Sequence, residues 1–177
     1  MIYYPRLIIV EGPDNCGKST LAKQIAAVTG YAYWRLTSGP GLSEHKAMEL
    51  YQSNALDNVS DNLDNSRGVV LDRHWPSDLV YGTVLRGTPS CNPERMRIRC
   101  ENLGARYILC SRSNAIEEHA SAKDPDHPYD DEIYASIVKG YSDWAFNNPT
   151  MPIYAFNLDS AMANYRYTIE LIERVCR

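Results

Sequence analysis

Eight residues near the start of the chain, GPDNCGKS from Gly12 to Ser19, fit the spacing G-x-x-x-x-G-K-[ST] between an apolar run, LIIVEG, and the opening of an amphipathic stretch. Such a loop wraps a phosphate with successive backbone N–H groups. Gly12 and Gly17 permit backbone conformations and a close approach that a side chain would block. Lys18 is placed to reach the β- and γ-phosphates of a nucleotide and Ser19 to give a hydroxyl to Mg2+, while the helix beginning there adds its positive end. Asn15, Cys16, Gly17 and Thr20 complete the expected cradle for ATP. Asp14 is the exception, because a bare carboxylate would repel those phosphates unless it turned away from them, toward a second substrate. A loop-stiffening role is the competing reading. Cys16 reads as a small filler, since phosphoryl transfer needs no covalent protein intermediate.

A second segment, VVLDRHWPSDLVYGTVLRG from Val69 to Gly87, begins as a buried strand and carries charge where that strand ends. An Asp at such an edge is where a P-loop enzyme holds Mg2+, directly or through water, which makes Asp72 a candidate for that role. Arg73 and Arg86 lie near or beyond the same edge. Two guanidinium forks could clamp an acceptor that already carries a phosphate; ordinary salt bridges are the alternative for each.

Together the two segments resemble the thymidylate kinase family of P-loop nucleoside monophosphate kinases. IVEGPDNCGKST is similar to that family's opening motif, and Asp72, Arg73, His74, Ser77, Tyr81, Arg86 and Gly87 match its second block at the same spacing. The resemblance implies that Arg73 and Arg86 bind the acceptor's monophosphate, that Asp14 contacts the acceptor sugar or orients its phosphate, and that Asp72 sits by the magnesium. It also implies acceptor contacts from Pro40, Ser77 and Tyr81, and a homodimer. The turn Ser38 to Gly41 keeps the family's Pro40 and Gly41 but has Ser38 where an Arg would stand, and Arg35 is the nearest substitute.

The sequence departs from the family elsewhere. It is short between the second and third strands, where the base would bind, and Ala55 to Gly68 is polar without the expected aromatic and Arg at helical spacing. Trp34, Tyr51 and Trp75 could stack on a base, although core packing is the commoner use of such residues. The loop offers no arginine to the transferring phosphoryl group, and the expected lid, residues 113–129, holds only Lys123, His119 and His127 as basic or titratable donors. Arg112 or Lys123 must then supply that charge. The acidic stretch Asp124 to Glu132 reads mainly as a helix start capped by Asp130 or Asp131.

The elements that must position these residues follow from short aliphatic or aromatic runs between longer amphipathic ones. Strands are expected at Arg6 to Val10, Tyr31 to Leu36, Gly68 to Leu71, Arg106 to Cys110 and Ile153 to Asn157. Helices are expected at 18–29, 43–56, 77–85, 93–103, 114–121, 130–146 and 160–175. The alternation implies an α/β chain with a parallel sheet covered on both faces and ligands at the strands' carboxyl ends. The P-loop resemblance implies a single three-layer sandwich over residues 1–177 with strand order 2-3-1-4-5.

The chain has 177 residues, 44% of them hydrophobic, and five scattered cysteines without C-x-x-C spacing. This excludes a disordered chain, a disulfide scaffold and a structural zinc site as its basis. No apolar run approaches the ~20 residues of a membrane span, so a cytoplasmic protein without membrane attachment is the expectation. The net charge of −4 argues mildly against coating a nucleic acid, although residues 86–112 carry six arginines against two glutamates. That basic segment, with Arg95, Arg97 and Arg99 at spacing two, sustains one alternative acceptor, a 5-hydroxymethyluracil base within bacteriophage DNA. A deoxynucleoside kinase and a non-catalytic nucleotide-binding module are the remaining alternatives.

Overall fold

The computed structural model describes residues 6–36, 45–64, 68–116 and 130–177. Five strands, β1 (Leu7–Glu11), β2 (Ala32–Arg35), β3 (Val69–Asp72), β4 (Ala105–Ser111) and β5 (Ile153–Asn157), form one all-parallel sheet in the order β2-β3-β1-β4-β5. This is the expected architecture and order. The helices are α1 (Lys18–Thr29), α2 (His45–Asp64), α3 (Trp75–Arg86), α4 (Pro93–Asn102), α5 (Asp131–Phe146), α6 (Leu158–Ala163) and α7 (Tyr165–Cys176).

Alternation along β1 divides the core in two. Leu7 and Ile9 join Val69, Leu71, Trp75, Met96, Tyr107, Ile137, Tyr141 and Trp144 on one face of the sheet. Ile8 and Val10 join Val70, Ile108, Leu21, Ile25, Leu171 and Val175 on the other. Successive strand side chains point to opposite faces, so a central strand covered by helices on both sides must be apolar throughout, as β1 is. The carboxyl ends of β1 and β3 are then the places where polar side chains, Glu11 and Asp72, enter an otherwise apolar layer.

Helix α3 starts two residues before expectation, at Trp75, and two other helices depart further. Helix α2 continues through residues expected to leave it at 56, because Leu56 and Val59 are fully buried while Asp57, Asn58 and Ser60 face solvent. Two apolar residues three apart suffice to seat that turn. The C-terminal helix expected at 160–175 is two helices, broken at Asn164, whose extended backbone ends α6 and whose side chain accepts from the Arg166 N–H to start α7. The expected helix at 114–121 falls largely outside the described residues, as does most of the lid.

Candidate functional site

The loop from Gly12 to Gly17 sits at the carboxyl end of β1, packed against the end of β4. Gly12 has φ +138°, and a Cβ there would lie 2.3 Å from the Cys110 carbonyl oxygen, so only glycine fits. Asn15 and Gly17 also take positive φ, and Gly17 leads directly into α1, whose start no side chain caps. The first amides of α1, at Lys18, Ser19 and Thr20, are therefore the ones a phosphate would meet. Cys16 is fully buried among apolar residues, and burial pushes its thiol up, away from the thiolate form. That agrees with a filler.

Lys18 is nearly buried and folds across the loop, donating to the Pro13 carbonyl, with the Asp14 carboxylate 3.8 Å away. Burial, with the Arg73 charge second, lowers its pKa to about 8. Such a desolvated ammonium gains most from an incoming polyanion.

Asp72, at the end of β3, is fully buried. Its Oδ2 accepts from the Tyr33 hydroxyl at 3.0 Å, with Arg35 Nε 3.8 Å away, while its Oδ1 has no hydrogen-bond partner among the described residues. An orphaned buried carboxylate oxygen at this edge fits a cation ligand. Ser19, the other expected ligand, lies beside the same Tyr33 phenol. Among the described residues no group of three or more His, Cys, Asp or Glu could hold a metal ion. A metal here would take its remaining ligands from a nucleotide and water.

Across the loop from this pair stands a denser network. Arg73 has φ +73°, a left-handed backbone that costs a non-glycine residue roughly 1–2 kcal/mol. Its amide donates to the Val10 carbonyl, and the side chain enters a floor of polar groups. One guanidinium nitrogen donates to Ser77 Oγ and to the Tyr141 hydroxyl, both at 3.2 Å. The other donates to the Asp14 carboxylate. The guanidinium carbon lies 5.1 Å from the centre of the Tyr81 ring, whose hydroxyl donates to Asp14 at 2.8 Å. Beneath them Glu11, fully buried, accepts from the His74 N–H and from Ser77 Oγ, each at 2.6 Å. Burial raises its pKa to about 7 against the opposing pull of Ser77 and Arg73. A strained backbone held in place by this many partners marks a site where position matters more than stability.

Arg86 does not join Arg73. It lies on the row of α3 that runs through Asp78 and Gly82, one register step from the Ser77 and Tyr81 row that Arg73 touches. Its guanidinium donates to Asp78 and Ser90, both at 2.9 Å, and Asp78 also accepts from the Ser90 and Cys91 amides. A Cβ at Gly82 would stand 2.8 Å from that guanidinium, so the missing side chain makes room for Arg86 to fold back.

The remaining expected residues divide likewise. Arg112 pairs with Asp159 at 3.4 Å and is near enough to Cys16 to act on it electrostatically. Trp75 is buried core, and Trp34 and Tyr51 pack against that core. Asp130 caps α5 by accepting from the Ile133 amide. His74 is buried, its ring bonded to the Gln52 carbonyl of α2 at 3.2 Å, so it braces α2 against the end of β3. Pro40, the turn Ser38 to Gly41, Lys123, His119 and His127 lie outside the described residues. The five cysteines are buried and free, and no helix of the described residues is long and apolar enough to cross a membrane.

Four contributors escaped the sequence reading: Tyr33, Tyr134, Tyr141 and the floor role of Glu11. Tyr134 donates to the Asp14 carbonyl at 2.7 Å, tying α5 to the loop. The available signal was compositional: thirteen tyrosines against two phenylalanines means that rings in apolar stripes carry hydroxyls, and buried hydroxyls need partners.

No protein-family model matches the sequence, and no curated protein matches it significantly. Solved structures share the fold. The Bacillus subtilis YorR protein, determined in complex with phosphorylated GDP, is 20% identical, with 95% of this chain and 98% of that one covered at a TM-score of 0.67. Deoxyadenosine kinase from M. mycoides, determined with bound dCTP, is 18% identical, with coverage of 95% and 97% and a TM-score of 0.59. Thymidylate kinase from Ehrlichia chaffeensis is 15% identical, with coverage of 98% and 99% and a TM-score of 0.60. The chain therefore has the P-loop fold found in nucleotide kinases of the thymidylate kinase-like type.

Proposed function

We propose that this chain is a Mg2+-dependent phosphotransferase that moves the γ-phosphoryl group of ATP onto a deoxynucleoside monophosphate, a thymidylate-like pyrimidine nucleotide by the sequence resemblance. The observation that carries this reading is Arg73: a permanent, mostly buried charge, fixed by Ser77, Tyr81 and Tyr141 and aimed at the loop that would cradle the donor.

On this reading the first amides of α1 and Lys18 take the β- and γ-phosphates. Lys18 exchanges the Pro13 carbonyl and Asp14 for phosphate oxygens. Asp72, through Oδ1, and Ser19 would hold Mg2+, which when bound neutralises charge on the transferring phosphates. The acceptor phosphate displaces the Asp14 carboxylate from Arg73, and Asp14, still bonded to Tyr81, turns to the acceptor's sugar. A monophosphate is already an anion at neutral pH, so no group has to remove a proton from the attacking oxygen. The reaction then depends on alignment and charge, which are what a fixed guanidinium and a preformed loop supply. Arg112, anchored by Asp159 beside the loop, is the described cation best placed for the transferring group. A homodimer is proposed with the rest of the resemblance, and a cytoplasmic site of action suits an enzyme of nucleotide supply.

One observation favours a second acceptor class: Arg86 is engaged by Asp78 rather than shared with Arg73, which suits a deoxynucleoside, an acceptor that carries no phosphate. The DNA-base acceptor has less support: Arg95 pairs with Glu49, Arg97 with Glu94 and Glu101, and Arg99 with Asp57, which spends the charge a strand would need.

The test is a panel. Purified protein with ATP and Mg2+ is offered each deoxynucleoside, each deoxynucleoside monophosphate and a hydroxymethyluracil-containing duplex, and products are resolved by chromatography. A nucleoside diphosphate from a pyrimidine monophosphate is expected. Monophosphate formed only from nucleosides would replace this reading with the second one, and no transfer to any acceptor would leave a nucleotide-binding module.

A further inference from the structure

The edge strand β2 places a residue at the metal side of the site that none of the motifs contains. Tyr33 stands two positions before the end of β2, on the same face of the sheet as Arg35, Asp72 and the start of α1. Its hydroxyl donates to Asp72 Oδ2 at 3.0 Å, and the Ser19 hydroxyl lies beside the same phenol. The ring is covered by α1, with the Lys23 ammonium 5.8 Å from its centre. Asp72 thus has one oxygen committed to Tyr33, with Arg35 nearby, and one, Oδ1, that is buried without a partner among the described residues.

We propose that Tyr33 is a positioning residue for the divalent cation: it fixes the Asp72 carboxylate through Oδ2 so that Oδ1, together with the Ser19 hydroxyl, faces a nucleotide-bound Mg2+. The inference rests on the metal site proposed above. A carboxylate with both oxygens unsatisfied would rotate and bind the cation in several ways, whereas one tethered oxygen leaves a single presentation. Groups that hold a metal ligand in this manner are commonly worth 10–100-fold in metal affinity.

Tyr33→Phe retains the ring beneath Lys23 and α1 and removes only the hydroxyl. The experiment measures ADP binding by calorimetry in EDTA and across a Mg2+ titration, for the wild type, Tyr33→Phe, Asp72→Asn and the double variant. Tyr33→Phe is expected to raise the Mg2+ concentration at half effect about ten-fold while ADP affinity in EDTA is unchanged. In the Asp72→Asn background the same change should have no further effect, because the group it positions is gone. An unshifted Mg2+ dependence in Tyr33→Phe, or an equal loss of ADP affinity with and without Mg2+, overturns the role of Tyr33. A wild type whose ADP binding ignores Mg2+ overturns the metal site itself, which separates the two failures.

Discussion

The two halves of the site are made from different materials. One half, which we propose takes the donor, is backbone: glycine conformations, the amides of an uncapped helix and one lysine, all within nine consecutive residues from Gly12 to Thr20. The other, proposed for the acceptor, is side chains, with Glu11, Asp14, Arg73, Ser77, Tyr81 and Tyr141 drawn from β1, the loop, the end of β3, α3 and α5. A backbone cradle serves any polyphosphate and tolerates change around it. A side-chain floor selects, and each member depends on the others for its charge or its hydrogen bond.

That contrast predicts different costs. Lys18→Met should lower kcat by about 10²–10³ without lowering the melting temperature, because the lysine is a desolvated charge and the methionine fills its place. Arg73→Ala should cost similar activity and, in addition, about 3 kcal/mol of stability, since Asp14 and Glu11 would lose their countercharge. Equal stability losses in the two variants, measured by urea denaturation, would erase the distinction between cradle and floor.

Titration of the floor gives a subtler test. Glu11, raised to about 7 from 4.5, makes the fold lose stability as pH rises between those values, because the folded state holds the extra proton. His74, lowered by burial to about 4 from 6.5, makes the fold gain stability as pH rises between 4 and 6.5. The two nearly cancel in the wild type. In Glu11→Gln the histidine acts alone, and stability should climb by about 3 kcal/mol from pH 4 to pH 6.5. Denaturation curves that stay flat with pH in this variant would show that the carboxyl is not the compensating group.

Arg86→Ala should have the smallest effect: about 1 kcal/mol of stability, because Asp78 keeps two backbone amides, and activity changed less than about two-fold. A loss of turnover matching that of Arg73→Ala would instead restore a two-arginine clamp.

The same contrast explains what could be read in the residues alone. The alternation of strands and helices, the loop and the cap at Asp130 follow from local rules, periodicity, glycine spacing and capping chemistry, whereas the strand order was implied by the family resemblance. Arg73 and Arg86 looked equivalent because both match a motif. What separates them is one step of helical register and a return of the chain, at Ser90 and Cys91, onto Asp78, a contact that no local rule encodes. The ring of Tyr141 packs in the core with Ile137 and Trp144, as an apolar residue would, but its hydroxyl, reaching Arg73 and Ser77, belongs to the site. Tyr33 needed the register of β2 against β3, which sets Arg35 beside Asp72. Side chains that act across elements become visible only when those elements are placed.

The central claim is that Arg73 receives a phosphate the acceptor already carries. Calorimetric titration of thymidine monophosphate and of thymidine into the wild type and into Arg73→Gln tests it most directly. The wild type should bind the monophosphate at least about ten-fold more tightly than the nucleoside, consistent with a charge-assisted contact, and Arg73→Gln should abolish that preference. Equal affinity for the two ligands in the wild type, or a preference that survives the substitution, would contradict it.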